Sequence, residues 1–424
     1  MVVTSRCDDH GGDMLGRLTL FAEGLLEQAE RHDLDGELII VEWNPPAGPR
    51  LRDVLSLHRD CDHFPIRFIE VPEALHRQLL HSDTVPLFQM IAKNVGIRRA
   101  RGRFILATNP DLLFTDALMR FLATGDIDPR GMYRIDRTDV DARVPTDTGI
   151  EEQLRWCAGH VLRVHTRWGS FPAHPVRDFV SGAVRWSAAR PRRVWVRIGE
   201  MMAAARRAWR LDRRDRDDAR QARWSLFWRT MRGWAVELGA RALRASSRWR
   251  PRRHLVDPLR SACAHAHFAL ARAARVAQAV IGPGPRVHTN GCGDFTLLSR
   301  EAWKELRGYA EFPIWSMHLD SLLCYSAVAA GYRQHILRSP ARLYHIEHRS
   351  SWVTMGLDDR LRAVAGRPWL DSGLLAALWS EMRTLGRPIV VNDESWGYAR
   401  HHLQESDYRS SRALPPRRAD SRVG

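Results

Sequence analysis

The chain predicts an α/β fold built on a parallel sheet, and three observations predict it. The first is the stretch 91–115, IAKNVGIRRARGRFILATNPDLLFT: a helix carrying Lys93, Asn94 and Arg98, a turn at Gly102, then an apolar strand over 104–107. An apolar run of that length, preceded by a helix and bounded by turn residues, fits a buried parallel strand. The second is the opening order of strand, loop, helix, strand and loop over residues 1–46, which is how a nucleotide-binding α/β unit begins. The third is size: 424 residues with 44% hydrophobic content bury a full core and suffice for about two to three domains' worth of structure.

Residues 1–4 read as the first strand and 5–12 as the polar loop after it. A helix over about 15–31 places Leu18, Phe21, Leu25 and Ala29 on one stripe. Further strands read at 37–41, closed by Glu42-Trp43-Asn44-Pro45-Pro46, and at 66–71. The strand 104–107 ends in Asn109-Pro110-Asp111, at the end of the sheet where α/β folds bind ligands. One carboxylate on a stiff turn is what Mg²⁺ or Mn²⁺ takes from a protein, the remaining ligands being water and phosphate. Asp is also a favoured N-cap, so the triplet alone reads as well as the cap of a following helix. A strand is expected over 132–136, a loop over 137–149, and a helix over 151–166 through Leu154, Cys157, Val161 and Val164.

The net charge of +16 is almost wholly arginine, Lys93 and Lys304 being the lysines. Much of it sits in 186–281, with about two dozen arginines, about seven acids and the tryptophans 186, 195, 209, 224, 228, 234 and 249. Two apolar helical faces are expected there, Val194-Ile198-Met201-Met202-Ala205-Trp209 and Trp224-Phe227-Met231-Trp234-Leu238. Such faces suit either an anionic membrane surface or a helical insertion packed on the rest of the protein. Nucleic acid is the poorer partner, because no recognition motif accompanies the charge. Cys7, Cys61, Cys157, Cys263, Cys292 and Cys324 are scattered without a CxxC pair, which argues against a zinc site or a disulfide framework. With no signal-like leader and no apolar run of roughly 18 residues, the expected location is the cytoplasm, with peripheral attachment to the inner face of the plasma membrane through the basic segment.

Downstream, Val287-His288-Thr289-Asn290-Gly291-Cys292-Gly293-Asp294 is a glycine-rich turn that permits close approach of backbone to ligand. It is followed by a strand at 295–298, a helix at 301–306 and Arg307-Gly308-Tyr309. Next, 315–323 reads Trp-Ser-Met-His-Leu-Asp-Ser-Leu-Leu, with Asp320 and His318 at a helix start, where an N-cap is the other role open to Asp320. A strand over 341–348 carries His345 and His348. Three residues apart, these face opposite sides unless the strand ends between them. Residues 352–405 read as mainly helical, and 406–424 as a disordered tail.

The blocks KNVGIRRARGRFILATNPDLLF and HTNGCGDFTLLSR, in this order and followed by Gly308-Tyr309, resemble the family 2 glycosyltransferases. That resemblance implies a GT-A fold, a Rossmann-like mixed sheet interrupted here by a basic helical insertion. Residues 1–136 would be the nucleotide-sugar half, 137–286 a linker and the insertion, 287–350 the acceptor half, 351–405 a helical region and 406–424 the tail. The family's Asp-x-Asp metal motif falls on Asn109 and Asp111, with His345 as a further ligand of Mn²⁺ or Mg²⁺. Its donor contacts fall on Thr4, Arg6, Asp8 or Asp9, Glu42, Asn94, Asn109 and Asp294. Asp320 stands where the family has its catalytic base, with Leu319 in place of the usual Glu and His318 as a second candidate. The implied reaction is inverting transfer from a UDP-, GDP- or dTDP-sugar to a hydroxyl of a glycan, a lipid-linked or a small-molecule acceptor. The two altered motif positions leave open a non-catalytic membrane-surface scaffold, and the related sheet leaves open a nucleotidyltransferase.

Overall fold

The computed structural model describes residues 1–9, 11–167, 169–173, 287–348 and 367–408. They belong to one compact unit formed by Met1–Ala173 and Pro285–Gly424; the other unit, His174–Gly284, lies outside the described residues, and so do the tryptophan-rich faces expected within it. Up to the boundary at Ala173 the elements are β1 (Val2–Ser5), α1 (Met14–Arg31), β2 (Leu38–Trp43), α2 (Leu51–Val54), β3 (Ile66–Val71), α3 (Glu73–His76), α4 (Gln89–Arg99), β4 (Phe104–Thr108), β5 (Leu112–Phe114), α5 (Asp116–Thr124), β6 (Gly131–Ile135), β7 (Arg137–Val140), α6 (Ile150–Gly159), β8 (Val161–Thr166) and β9 (Gly169–Pro172). The chain resumes with β10 (Phe295–Ser299), α7 (Arg300–Glu305), α8 (Leu319–Ala329), β11 (Arg333–Leu337), β12 (Leu343–Ile346), α9 (Ser372–Leu385) and β13 (Gln404–Asp407).

The result is a mixed α/β architecture. Eight strands form the main sheet in the order β11-β6-β10-β4-β1-β2-β3-β13. Strands β1 to β4 run parallel, while β10 inserts antiparallel between β4 and β6. Every residue of β1 and β2 is buried, as a parallel sheet covered on both faces requires. Alternation then divides them: Val2, Ile39 and Val41 point into one apolar layer, Val3, Leu38 and Ile40 into the other. The first layer holds Val95 of α4 with Trp303 and Leu322, the second Leu18, Phe21 and Leu118 of α1 and α5.

A second sheet, ordered β5-β12-β7-β8-β9, changes three of the sequence expectations. Residues 137–140 form a strand rather than part of a loop, and 161–166 form a strand rather than the end of a helix. Helix α6 stops at Gly159, and the Val161-Leu-Arg-Val-His-Thr stretch that follows pairs with β7 and β9. Its valines sit at helical spacing from Leu154 by coincidence, and strand pairing overrides that spacing. Asp111 precedes β5 directly, so it caps no helix. The C-terminal expectation also changes: residues 404–407, read as helix and the start of a disordered tail, form β13 and extend the main sheet antiparallel to β3. Among the described residues, no helix is long and apolar enough to cross a membrane.

Candidate functional site

The order of the main sheet reverses between β1 and β4, and a cleft of about 610 Å³ opens at their carboxyl ends. Open α/β sheets bind ligands at such switch points. Thr4 and Arg6 reach the cleft from β1, Asn109 and Asp111 from β4, and His318 and Asp320 from the start of α8.

Asp111 is held by its own backbone: Ile346 N–H donates to its carbonyl at 2.9 Å, because β12 pairs with β5 and sets His345 opposite Leu112. Its Oδ2 lies 3.5 Å from His345 Nε2 and 3.3 Å from His348 Nε2. Oδ1 is buried with no hydrogen-bond partner, a condition native carboxylates rarely tolerate without a ligand. One ligand atom from each of the three residues lies within 4.8 Å of the others. Strand β12 ends at Ile346, so the alternation that would send His345 and His348 to opposite sides stops between them, and both turn toward Asp111. The residues fit a divalent cation, and two imidazoles with one carboxylate suit Mn²⁺ or Zn²⁺ better than the oxygen-seeking Mg²⁺.

Behind His345 stands Asp139, fully buried, with Oδ1 3.3 Å from His345 Nδ1. That distance is an ion pair for the protonated ring, and among the described residues His345 Nδ1 has no hydrogen-bond partner. Arg137 donates to Asp139 Oδ1 at 2.6 Å, while Arg163 at 2.6 Å and His165 at 2.8 Å donate to Oδ2. Burial works to raise the Asp139 carboxyl pKa, but the hydrogen bond of His165, the ion pair with His345 and the charge of Arg137 hold it far below the usual carboxylate range. Burial also opposes the charge on Asp111, and His345 and His348 overcome it, keeping that carboxyl well down. For His345, burial and Arg137 disfavour the proton, yet Asp111 and Asp139 prevail and raise its pKa to about 9. At neutral pH a cation would displace that proton, so binding and protonation compete at this histidine.

The antiparallel register of β10, Phe295 against Thr108, carries Asp294 to the tip of β4. There Asn109 Nδ2 donates to Asp294 Oδ1 at 2.6 Å, Arg137 Nη1 donates to Oδ2 at 3.0 Å, and Gln89 Nε2 donates to Asn109 Oδ1 at 3.0 Å. Asn109 thus anchors Asp294. Beneath the glycine-rich turn, Lys93 is fully buried and donates to Gly293 O at 2.7 Å. Burial pulls its pKa down to about 8 against the attraction of Asp294, Asp320 and Asp111. The ammonium therefore persists at pH 7 as a fixed positive charge among three carboxylates.

Asp320 lies in the first turn of α8, where its Oδ1 accepts from Ser321 N–H at 2.7 Å; the N-cap position belongs to His318 instead. Gly293 faces it so closely that a Cβ there would come within 3.2 Å of Asp320 Oδ2. His318 Nδ1 is 2.8 Å from the Leu370 carbonyl, which only accepts, so Nδ1 carries the proton and Nε2 is the acceptor of the neutral ring.

The donor set divides. Thr4, Arg6, Asp8, Asn109 and Asp294 line the cleft, with Arg6 bonded to Asp8 at 2.7 Å and to the Asn44 carbonyl at 2.7 Å. Asp9, Glu42 and Asn94 do not. Asp9 accepts from Met14 N–H at the start of α1, and Glu42 is buried with both oxygens on the Leu51 amide. Asn94 is buried as a clasp, donating to Tyr309 O and Glu311 and accepting from Tyr309 N–H. Its side chain satisfies backbone groups of the loop after α7 and does not line the cleft. His348, Asp139, Arg137 and His165 were not read from sequence as site residues. Arg137 and Asp139 lie in a stretch that reads as loop and His165 in one that reads as helix, so no pattern showed their charges meeting in one buried cluster. No protein-family model matches the chain, and no curated protein matches it.

Proposed function

We propose that the protein is a metal-dependent glycosyltransferase of the GT-A type, moving a sugar from a nucleoside-diphosphate donor to an acceptor hydroxyl with inversion. The observation that carries this reading is that Asp111, with its two histidines, and Asp320 open into one cleft at the sheet's switch point. An antiparallel strand beside β4 bringing Asp294 to the same tip supports it. Asp111, His345 and His348 hold the cation, which when bound supplies positive charge against the leaving diphosphate. Arg6 and Arg137 flank the cleft and orient the donor's anionic groups, Lys93 adds a fixed positive charge from below, and Asp320 takes the proton from the acceptor hydroxyl.

Thermal-shift titration with UDP-, GDP- and dTDP-sugars, each with Mn²⁺, Zn²⁺ or Mg²⁺, tests binding. One donor with Mn²⁺ should raise the melting temperature in wild type, and Asp111→Ala should abolish the metal-dependent part. Turnover should release nucleoside diphosphate, and Asp320→Asn should cut kcat by roughly 100-fold or more with the metal-dependent shift retained. Release of pyrophosphate would transfer the site to nucleotidyl transfer, and absence of any metal-dependent shift would leave the fold as a scaffold.

A further inference from the structure

Along the wall of the same cleft Ser170 and His165, neither of which sugar transfer uses, form a chain of hydrogen bonds that ends on Asp139, the carboxylate behind His345. Ser170 of β9 and His165 of β8 face each other across a hairpin, with Ser170 Oγ 2.6 Å from His165 Nδ1. On its far side His165 Nε2 is 2.8 Å from Asp139 Oδ2. The proton positions follow from the partners. Asp139 is buried, held ionised by Arg137 and Arg163, and only accepts, so His165 Nε2 carries the ring proton. His165 Nδ1 is then the acceptor, and the Ser170 hydroxyl donates to it. Asn290 Nδ2 donates to Ser170 Oγ at 3.3 Å, so the hydroxyl receives one bond and gives its proton to imidazole.

That is the polarity of an activated serine: hydroxyl to imidazole to buried carboxylate, with the two ring nitrogens exchanged relative to the serine-protease arrangement. His165 and Asp139 are almost wholly buried and locked by packing, while Ser170 lies at the cleft wall. We propose that Ser170, His165 and Asp139 form a nucleophilic relay that cleaves O-acyl esters entering this cleft. Ser170 Oγ bonds to the ester carbonyl carbon as its proton passes to His165 Nδ1. Asn290 Nδ2, bonded to Ser170 Oγ at 3.3 Å and to the Thr166 carbonyl at 3.2 Å, holds the serine oxygen in place for the attack. Collapse breaks the carbon–oxygen bond to the alcohol, which departs with the proton from Nδ1. Water, giving its proton to the same nitrogen, then cleaves the acyl-serine to a carboxylic acid and restores the hydroxyl. An ester, whose alcohol leaves more readily than an amine, suits such a relay over an amide. The relay is independent of the sugar-transfer reading, because it needs neither a cation nor Asp320.

Treatment of the full-length protein with a fluorophosphonate probe, followed by peptide mapping, tests it. The adduct is expected on Ser170, and hydrolysis of p-nitrophenyl acetate is expected to fall at least about 100-fold in Ser170→Ala and in His165→Gln. Circular dichroism and melting of both variants should match wild type. A Ser170 that stays unlabelled in folded wild type, or that labels equally fast in a folded His165→Gln variant, overturns the proposal.

Discussion

Glu42 is a carboxylate whose charge the fold works against. It stands at the end of β2, where the resemblance puts a nucleotide contact, yet it is 3% exposed and both oxygens accept from Leu51 N–H at 3.1 Å. Burial raises its pKa to about 7, with Glu70 adding to the rise, against the Leu51 amide and Arg50 and Arg52, which lower it. The free carboxyl titrates near 4.5, so between pH 4.5 and 7 the folded state binds more protons than the unfolded state. Stability from this group is therefore present below pH 4.5 and is lost as pH rises through 7, on the order of 2 to 3 kcal/mol in all. Glu42→Gln keeps one acceptor for Leu51 and removes the titration. Urea denaturation at pH 5 and pH 8 should show the variant gaining on wild type at the higher pH, and curves that shift in parallel would refute the assignment. From its own triplet Asp111 read as well as a helix cap, a role that β5 following it directly removes. His348 was not legible as a site residue, because its position relative to His345 depends on where β12 stops, which alternation does not reveal.

At the scale of elements, β1 to β4, β6 and β10 of the main sheet were legible, while β11, β13 and, apart from β12, the second sheet were not. Strands buried on both faces read as apolar runs, so β2 and β4 declare themselves as Leu-Ile-Ile-Val and Phe-Ile-Leu-Ala, while β3, Ile-Arg-Phe-Ile-Glu-Val, shows through its β-branched and aromatic residues. Strands β7 and β8 are stabilised by buried ion pairs around Asp139, and their sequences look like surface. Helix α4 was equally plain, and its closeness to the sheet is set by Gly96. A Cβ at that position would lie 2.5 Å from Val2 Cγ1 and 3.0 Å from Val41 Cγ2. Gly96→Ala gains about 1 kcal/mol of helix propensity but forces α4 off β1 and β2, which typically costs 1 to 3 kcal/mol. Since Lys93 lies on the same helix three residues earlier, the displacement also moves its ammonium relative to Gly293. The expected outcome is a lower melting temperature together with a weakened donor-dependent thermal shift. A variant more stable than wild type would show that α4 has room the packing denies.

For the whole molecule, the question is what closes the far edge of the main sheet, away from the cleft. Parallel strand β3 would be an open edge there, a template for pairing with other chains. Strand β13 covers it antiparallel, with Glu405 opposite Ile69 and Ser406 opposite Phe68. The cover is fastened by charge as well as by backbone. Arg67, 4% exposed, bonds Glu37 at 2.5 Å and Glu405 at 2.7 Å, and Glu37 in turn accepts from Arg101 N–H at 2.6 Å. Tyr408 adds a hydroxyl bond to Leu57 N–H at 2.8 Å and packs its ring on Phe68. The last described residues thus tie the chain to its first strands through one buried arginine. Truncation after Leu403 removes β13, leaves Arg67 with half its compensation and exposes the β3 backbone. Loss of one partner from a buried charge network costs about 3 to 5 kcal/mol, so the urea midpoint should fall sharply. Sedimentation velocity should show concentration-dependent association through the bared edge. Glu405→Gln separates the two effects: it keeps the strand and weakens the charge, so it should lose stability without associating. If the truncated chain stays monomeric and as stable as wild type, β13 is an ornament on the sheet rather than its closing strand.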